Sequence, residues 1–107
     1  MATQLRELRD AIDQIDRQLV ELLAKRLQLV MSVGDYKRAH SLPIYDAERE
    51  RDLLARVANA APSPLEPAMA QRIFQCVIQE SRELEQRHVA RSETARTEAE
   101  RKGPERK

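Results

Sequence analysis

The amino-acid sequence predicts an all-α protein with three helices per chain. Aromatic residues make up 3% of the 107 residues and glycine occurs only twice, whereas leucine, alanine, glutamate, arginine and glutamine are abundant. The abundant residues favour helices, and strands usually require more aromatic and β-branched side chains. Apolar residues near the N-terminus also recur every three or four positions, which is the period of a helix with one apolar face. A chain of this length forms one domain with a modest core.

The first predicted helix runs from Leu5 to about Arg38 without an internal proline. Gly34 is its one weak point, because glycine lowers helix stability. The apolar stripe of this helix consists of Leu5, Leu8, Ile12, Ile15, Leu19, Leu22, Leu29 and Val33. At about 1.5 Å per residue the helix is on the order of 50 Å long, which exceeds the diameter of a compact domain of this size. We therefore expect it to pack against something outside its own chain.

A short loop separates the first helix from a second one. Pro43 disfavours helical geometry at Leu42, so the long helix should end before this point. Asp46 is a good N-cap, since its side chain can accept a hydrogen bond from a backbone N–H of the next turn. The sequence therefore predicts a second helix over about Ala47 to Ala60.

A third helix follows the proline-rich segment "APSPLEP". It is predicted to begin at about Pro67 and to reach at least Arg87. Its predicted apolar face is formed by Met69, Ile73, Val77 and Leu84. These three helices define a predicted helical domain over residues 1–90. Residues 91–107 carry no large apolar side chain and are expected to form a polar tail, either a solvated helical extension or disordered.

Charge and hydropathy exclude several classes of partner. The 19 basic and 18 acidic residues are interleaved and give a net charge of +1, so no broad field favours nucleic acid or an anionic membrane surface. The N-terminus lacks the apolar run of a signal peptide, and no segment approaches the roughly 20 apolar residues of a membrane span. We therefore expect a cytoplasmic protein. Cys76 is the single cysteine, and its apolar neighbours predict a buried structural thiol.

Cations interrupt the apolar stripe of the first helix. At 100° per residue, Lys37 lies only about 20° around the helix from Arg26, so the two side chains face the same way and can share one anion. Arg9 shares a heptad column with Lys37, but it lies roughly 25 Å from Arg26 along a rigid helix. If all three cations serve one site, Arg9 must come from a second subunit whose long helix runs antiparallel to the first.

The other two helices also carry polar groups on their inward faces. Glu50 falls on the apolar stripe of the second helix one turn after Asp46, and Ser81 and Glu85 are one turn apart on the third. Taken singly, each has an ordinary explanation as a helix cap, a solvated ion pair or a side chain that reaches solvent at the rim. Taken together they predict a pocket for a small dianion between the helices, because burying several unpaired charges is costly.

Four segments, in this order and spacing, resemble the all-helical class of chorismate mutase. They are "LRDAIDQIDRQLVELLAKR", "VGDYK", "LPIYDAERERDLL" and "IFQCVIQESRELE", within a region from about Leu8 to Glu85. The resemblance implies an intertwined homodimer of three-helix chains with two equivalent active sites. It also implies the rearrangement of chorismate to prephenate, a step of the shikimate pathway in aromatic amino-acid biosynthesis.

The resemblance further implies which residues hold the substrate carboxylates. These are Arg26 and Arg49 from one chain and Arg9 from its partner, with Ser81 assisting. Arginine suits this role because its planar guanidinium donates two parallel hydrogen bonds to a carboxylate.

The remaining polar residues take the other roles that the resemblance implies. Lys37 donates to the ether oxygen, Glu50 accepts from the ring hydroxyl, and Asp46 contributes through its backbone. Glu85 matches a position where many bacterial members of the family have glutamine, and it is the second predicted catalytic residue beside Lys37. The rearrangement is unimolecular and pericyclic, so it requires no nucleophile, metal or other cofactor.

Two other functions fit the same sequence features. Isochorismate pyruvate lyase resembles this family in fold and pocket, but such lyases tend to lack the acidic pair that we assign to Asp46 and Glu50. A non-catalytic helical dimerisation module is the second alternative, in which the pocket charges are rim residues.

Overall fold

The computed structural model describes residues 2–102 as three α-helices with no strand in that range. These are α1 (Ala2–Ala39), α2 (Ala47–Ala60) and α3 (Pro67–Lys102). The all-α class predicted from composition and periodicity is confirmed. The bounds of α2 coincide with the predicted ones, α1 begins three residues earlier than predicted, and α3 continues well beyond Arg87.

A left-handed residue ends α1 just before the proline that predicted the boundary. Ser41 has a φ of 55°, a conformation that glycine usually supplies at this position of a helix end. The backbone N–H of Leu42 donates to the carbonyl of Lys37 at 2.8 Å, and that of Ser41 donates to the carbonyl of Arg38 at 3.3 Å. These bonds satisfy carbonyls that the helix itself leaves without partners, and the chain then turns toward α2.

The second helix starts at the N-cap that the sequence predicted. Asp46 has extended backbone geometry, and its side-chain Oδ1 accepts a hydrogen bond from the backbone N–H of Arg49 at 3.0 Å. The helix ends at Ala60, because Ala61 precedes Pro62 and adopts an extended conformation. The third helix then begins with Pro67 in its first turn, where the missing N–H costs no hydrogen bond.

Helix α3 is the element on which the other two pack. Both α1 and α2 lie against α3, and within the described residues they do not pack against each other. Ala70 and Ile78 are the only buried apolar side chains over this part of the chain. The radius of gyration of 19.9 Å exceeds the about 13 Å typical of a compact domain of this length. A single chain is therefore an open, elongated arrangement with little core of its own.

The N-terminal two thirds of α1 extends away from the other helices. Every side chain over residues 3–25 is exposed. The apolar stripe lies in this region except for Leu29 and Val33, and its members are roughly half exposed, as with Leu5 at 49% and Ile12 at 56%. This part of α1 therefore does not pack within its own chain, and its packing against a second chain stays a prediction.

Two predictions about α3 are wrong for the single chain. Met69 and Ile73 are exposed, so the predicted apolar face of α3 is not the one that packs against α1 and α2. That packed face instead carries Ala70, Ile78, Ser81 and Glu85. Cys76, predicted to be a buried thiol, is exposed in the single chain.

Helices α1 and α3 come close together at Gly34, which is buried. A Cβ atom at this position would lie 3.0 Å from Cγ of Glu85 and 3.1 Å from Cγ2 of Val89. Both distances are shorter than ordinary van der Waals contact, so the missing side chain is what allows the two helices to come this close. One turn further along the same pair of helices, His88 Nε2 lies 2.8 Å from Asp35 Oδ1.

Beyond Ala90, α3 continues as a largely solvated helix. Side chains over residues 94–101 are exposed, and Arg96 pairs with Glu93 at 3.0 Å and with Glu100 at 3.2 Å along the same helix. Of the two alternatives for the tail, the helical extension describes residues 91–102, and residues 103–107 lie outside the described residues. None of the helices is long and apolar enough to cross a membrane; a cytoplasmic location stays a prediction.

Truncation after Ala90 should leave the melting temperature within about 4 °C of the full chain, because a solvated helix contributes little packing free energy. A matched truncation after Gln86 also removes His88 and Val89, which contact α1, and should lower the melting temperature by roughly 5 °C or more. Thermal denaturation followed by circular dichroism measures both. Equal losses for the two truncations would contradict the distinction between tail and packed helix.

Candidate active site

A cavity of about 320 Å³ lies where the C-terminal part of α1, the start of α2 and the middle of α3 face one another. Its walls carry both charged and apolar side chains. The lining residues are Arg26, Val30, Val33, Lys37, Ile44, Asp46, Arg49, Glu50, Leu53, Ile78, Ser81, Arg82 and Glu85. Seven of the eight residues that the sequence predicted for the site are in this set.

Arg9 is the predicted site residue that does not line the cavity of the single chain. It lies on the exposed N-terminal part of α1, away from α2 and α3. The sequence predicts that Arg9 reaches a site on a partner subunit, and a position remote from its own cavity is what that prediction requires. Its role stays a prediction.

Arg26 projects from α1 toward α3 and is held there by a serine. The Arg26 Nη1 donates to Oγ of Ser81 at 2.6 Å, and the Ser81 hydroxyl donates in turn to the backbone carbonyl of Val77 at 2.6 Å. Burial lowers the pKa of Arg26, and the nearby positive charge of Arg49 lowers it further. Two guanidinium groups therefore lie close enough to repel each other across the cavity, which favours an anion between them.

Lys37, near the end of α1, contacts both the loop before α2 and helix α3. Its Nζ donates to the backbone carbonyl of Ile44 at 2.7 Å, which ties the loop before α2 to the end of α1. The same Nζ lies 3.0 Å from Oε2 of Glu85 on α3. The alignment of this ion pair falls outside hydrogen-bond geometry, and Glu85 Oε2 is buried without a hydrogen-bond donor. A carboxylate oxygen is thus held beside the ammonium with capacity for a further partner.

The start of α2 contributes one cation, Arg49, and one anion, Glu50, to the wall of the cavity. The side chain of Asp46 is engaged in capping the helix. Arg49 is exposed and lines the cavity, one turn after the cap. Glu50 is half-buried, and its Oε2 lies 3.4 Å from Nε of Arg82 on α3.

Arg82 is the charged cavity residue that sequence reasoning missed. Besides its ion pair with Glu50, its guanidinium carbon lies 4.7 Å from the centroid of the Tyr45 ring, a cation–π contact with the loop before α2. The helical period held a signal for it, because Arg82 follows the buried Ile78 by four residues and precedes the buried Glu85 by three. Its neighbour Ser81 was assigned to the inward face and Arg82 was not.

The charges of the cavity divide into paired and unpaired groups. Lys37 lies beside Glu85, and Arg82 beside Glu50. Over residues 2–102, no carboxylate is within ion-pair distance of the guanidinium groups of Arg26 and Arg49. Apolar side chains complete the wall, namely Val30, Val33, Ile44, Leu53 and Ile78. The cavity therefore suits a small ligand with an apolar ring and more than one anionic group.

Comparisons with known proteins agree on one family. The model of the family "Chorismate mutase type II" matches residues 8–86. The "T-protein" of Enterobacter agglomerans is 43% identical over 82 residues, which cover 76% of this chain and 22% of that protein. The chain thus spans about a fifth of the length of this curated relative.

Solved structures extend the likeness to the fold. The chorismate mutase of Thermus thermophilus, form II, superposes with a TM-score of 0.76 at 30% identity, covering 78% of this chain and 96% of that one. The chorismate mutase of Helicobacter pylori in complex with prephenate superposes with a TM-score of 0.75 at 27% identity, covering 82% and 96%. The region that matches the family model, residues 8–86, includes every residue that lines the cavity. The chain belongs to the type II chorismate mutase family.

Proposed function

We propose that this chain catalyses the rearrangement of chorismate to prephenate. The observation that carries the proposal is the pair of guanidinium groups, on Arg26 and Arg49, that face one cavity without a carboxylate partner in the described part of the chain. Chorismate carries two carboxylates on an apolar ring system, which matches both the charge and the wall of this cavity. Membership of the family supports the same reaction.

The arginines act on the shape of the substrate. The reaction forms a carbon–carbon bond and breaks a carbon–oxygen bond within one molecule, so the enzyme must hold the compact conformer in which the reacting carbons meet. Bidentate hydrogen bonds from Arg26 and Arg49 to the carboxylates fix that conformer. The hydrogen bond from Arg26 to Ser81 sets the direction of the guanidinium before the substrate arrives.

Lys37 and Glu85 act on the breaking bond. Negative charge develops on the ether oxygen as its bond to carbon lengthens, and a donor already aimed at that oxygen stabilises the transition state more than the ground state. Lys37 has three N–H donors, of which one is used by the carbonyl of Ile44. Glu85 can donate to the ether oxygen only when it carries a proton.

The start of α2 serves the ring hydroxyl. Glu50 lines the cavity and accepts from the hydroxyl. Asp46 contributes through its backbone, since its carboxylate is already engaged by the N–H of Arg49.

We further propose that two chains form a homodimer in which Arg9 completes the site of the partner. The exposed apolar stripe of α1 supports this, because fully burying a Leu or Ile side chain contributes roughly 1.5 to 3 kcal/mol. A smaller cavity of about 200 Å³ with an almost entirely apolar surface lies beside Leu23, Leu27 and Cys76. It continues the stripe toward the site, and an antiparallel α1 from a second chain can cover both.

Incubation with chorismate should consume its diene absorbance and yield prephenate. Lys37→Ala should lower kcat/KM by at least about 100-fold, since one preorganised donor to a developing oxyanion is typically worth that much. Lys25→Ala, a change at an exposed lysine of the same helix, is the matched control and should keep wild-type activity. Release of pyruvate from isochorismate without prephenate formation would identify a lyase instead, and inertness toward both substrates would identify a non-catalytic module.

Arg9→Ala and Lys37→Ala should each be nearly inactive, yet an equilibrated mixture of the two should recover about a quarter of wild-type activity. Half of the dimers are then mixed, and each mixed dimer has one site with both residues intact. The matched control is a mixture of Arg26→Ala with Lys37→Ala, which restores no site because both residues come from the same chain. Subunit exchange is verified by mass spectrometry. A silent first mixture after verified exchange would contradict the shared site.

Glu85→Gln should keep substantial activity at neutral pH and flatten the pH profile of kcat and kcat/KM. In the wild type, activity should fall as the pH rises, because ionised Glu85 has no proton to donate and places negative charge beside the ether oxygen. Glu85→Ala should lose roughly 100-fold in kcat/KM. A wild-type profile that is flat from acid to alkaline pH, or a Gln variant as inactive as the Ala variant, would exclude Glu85 as the neutral donor.

A further inference from the structure

Arg82 connects three segments at the edge of the cavity. It projects from α3, its Nε lies 3.4 Å from Oε2 of Glu50 on α2, and its guanidinium lies over the ring of Tyr45 in the loop before α2. Its side chain is 33% exposed and that of Glu50 is 24% exposed, so the pair closes the cavity at its border with solvent. Arg82 has no part in the mechanism proposed above.

The closest contact of the ion pair is made through one oxygen of Glu50. That oxygen is Oε2, and within residues 2–102 Glu50 pairs with no cation other than Arg82, so Oε1 is not engaged by a second one. A glutamate side chain has three rotatable bonds, and fixing one carboxylate oxygen restricts all of them. The free oxygen is then available to a hydroxyl donor of a ligand in the cavity that Glu50 lines.

The ion pair with Arg82 also keeps Glu50 away from Arg26 and Arg49, the two cavity cations that have no carboxylate partner over residues 2–102. Arg49 immediately precedes Glu50 in the chain and lines the same cavity, without a carboxylate partner over residues 2–102. A half-buried carboxylate that lacks its own cation will turn toward the nearest one, because an unpaired charge is costly to bury. Without Arg82, Glu50 would therefore compete with a ligand carboxylate for Arg49.

Tyr45 restricts where the guanidinium of Arg82 can go. The 4.7 Å contact with the ring stacks the cation against a residue that immediately precedes the N-cap of α2. The loop that carries Tyr45 is held from the other side by the hydrogen bond from Lys37 to the carbonyl of Ile44. Arg82 is thus held against the start of α2, beside the residue that it orients.

We propose that Arg82 is a positioning residue for the reaction, which holds Glu50 toward the ring hydroxyl of the substrate and away from Arg49. This inference rests on the proposed function. Arg82 acts through Glu50 and does not itself bind the substrate. Because Glu50 contacts the hydroxyl equally in substrate and transition state, loss of Arg82 weakens binding and leaves the chemical step unchanged.

The test is steady-state kinetics with chorismate on Arg82→Met, Glu50→Gln and the double variant. Arg82→Met should raise KM by roughly five- to tenfold and change kcat by less than about twofold. In the Glu50→Gln background the same change should alter KM by less than about twofold, since residues that act through one another are not additive. Arg87→Met, a change at an exposed arginine of the same helix, is the matched control and should leave KM unchanged.

The outcomes separate this inference from the proposed function. A wild-type chain without mutase activity overturns the proposed function itself. With an active wild type, the inference fails if Arg82→Met leaves KM unchanged, lowers kcat at constant KM, or raises KM by the same factor in both backgrounds. The last result would mean that Arg82 contacts the substrate directly. Arg82→Gln is tested by the same criteria, so a Met variant that fails to fold does not remove the test.

Discussion

The approach of α1 to α3 at Gly34 is the contact on which the rest of the site depends. Because Gly34 has no side chain, α3 lies close enough for Cγ of Glu85 to occupy the space that a Cβ would need. Three residues further along α1, Lys37 then lies 3.0 Å from Glu85 Oε2. The glycine that weakens the long helix locally is thus what allows an acid and a base from different helices to meet in a buried position.

The charged side chains that line the cavity are only partly paired with one another. Lys37 and Glu85 offset each other, as do Arg82 and Glu50, and each pair also joins two helices. Such pairs add little to stability, because desolvation offsets most of their attraction, but they fix where each side chain points. Arg26 and Arg49 remain for a ligand. Burial and, second to it, repulsion by Arg49 lower the pKa of Arg26, and an anion bound between the two guanidinium groups would offset both effects.

The apolar stripe of α1, which could stabilise the protein by packing against a second chain, lies largely apart from the candidate site. Within residues 2–102 the only apolar side chains that the single chain buries are those of Ala70 and Ile78, yet it exposes an apolar stripe along α1. An exposed stripe of this kind usually marks an interface, because leaving it in water forgoes roughly 25 cal/mol for each Å² of apolar surface. In the proposed homodimer, the same long helix supplies the missing core and delivers Arg9 to the neighbouring cavity. Stability and activity would then depend on the same association.

Local patterns in the sequence determined the helices and most of the inward-facing charges. The apolar period predicted α1, Asp46 and the prolines predicted the bounds of α2, and the angular position of Lys37 relative to Arg26 predicted that both face one side. These features involve residues that are close in sequence. Over such short separations, the fixed geometry of a helix determines how side chains are placed relative to one another. The same charges predicted one pocket between the helices, and the resemblance to the family added the role of each residue in that pocket.

Contacts between helices could be decided only by the tertiary structure. The apolar residues of α3 did not indicate its packed face, so Ile73 and Cys76 were expected inside and are exposed, whereas Arg82 was missed and lines the cavity. The rotation of α3 about its own axis depends on the fit of Gly34 to Glu85 and Val89. That fit joins residues more than 50 positions apart, and no periodicity within one helix carries information about the helix against which it packs.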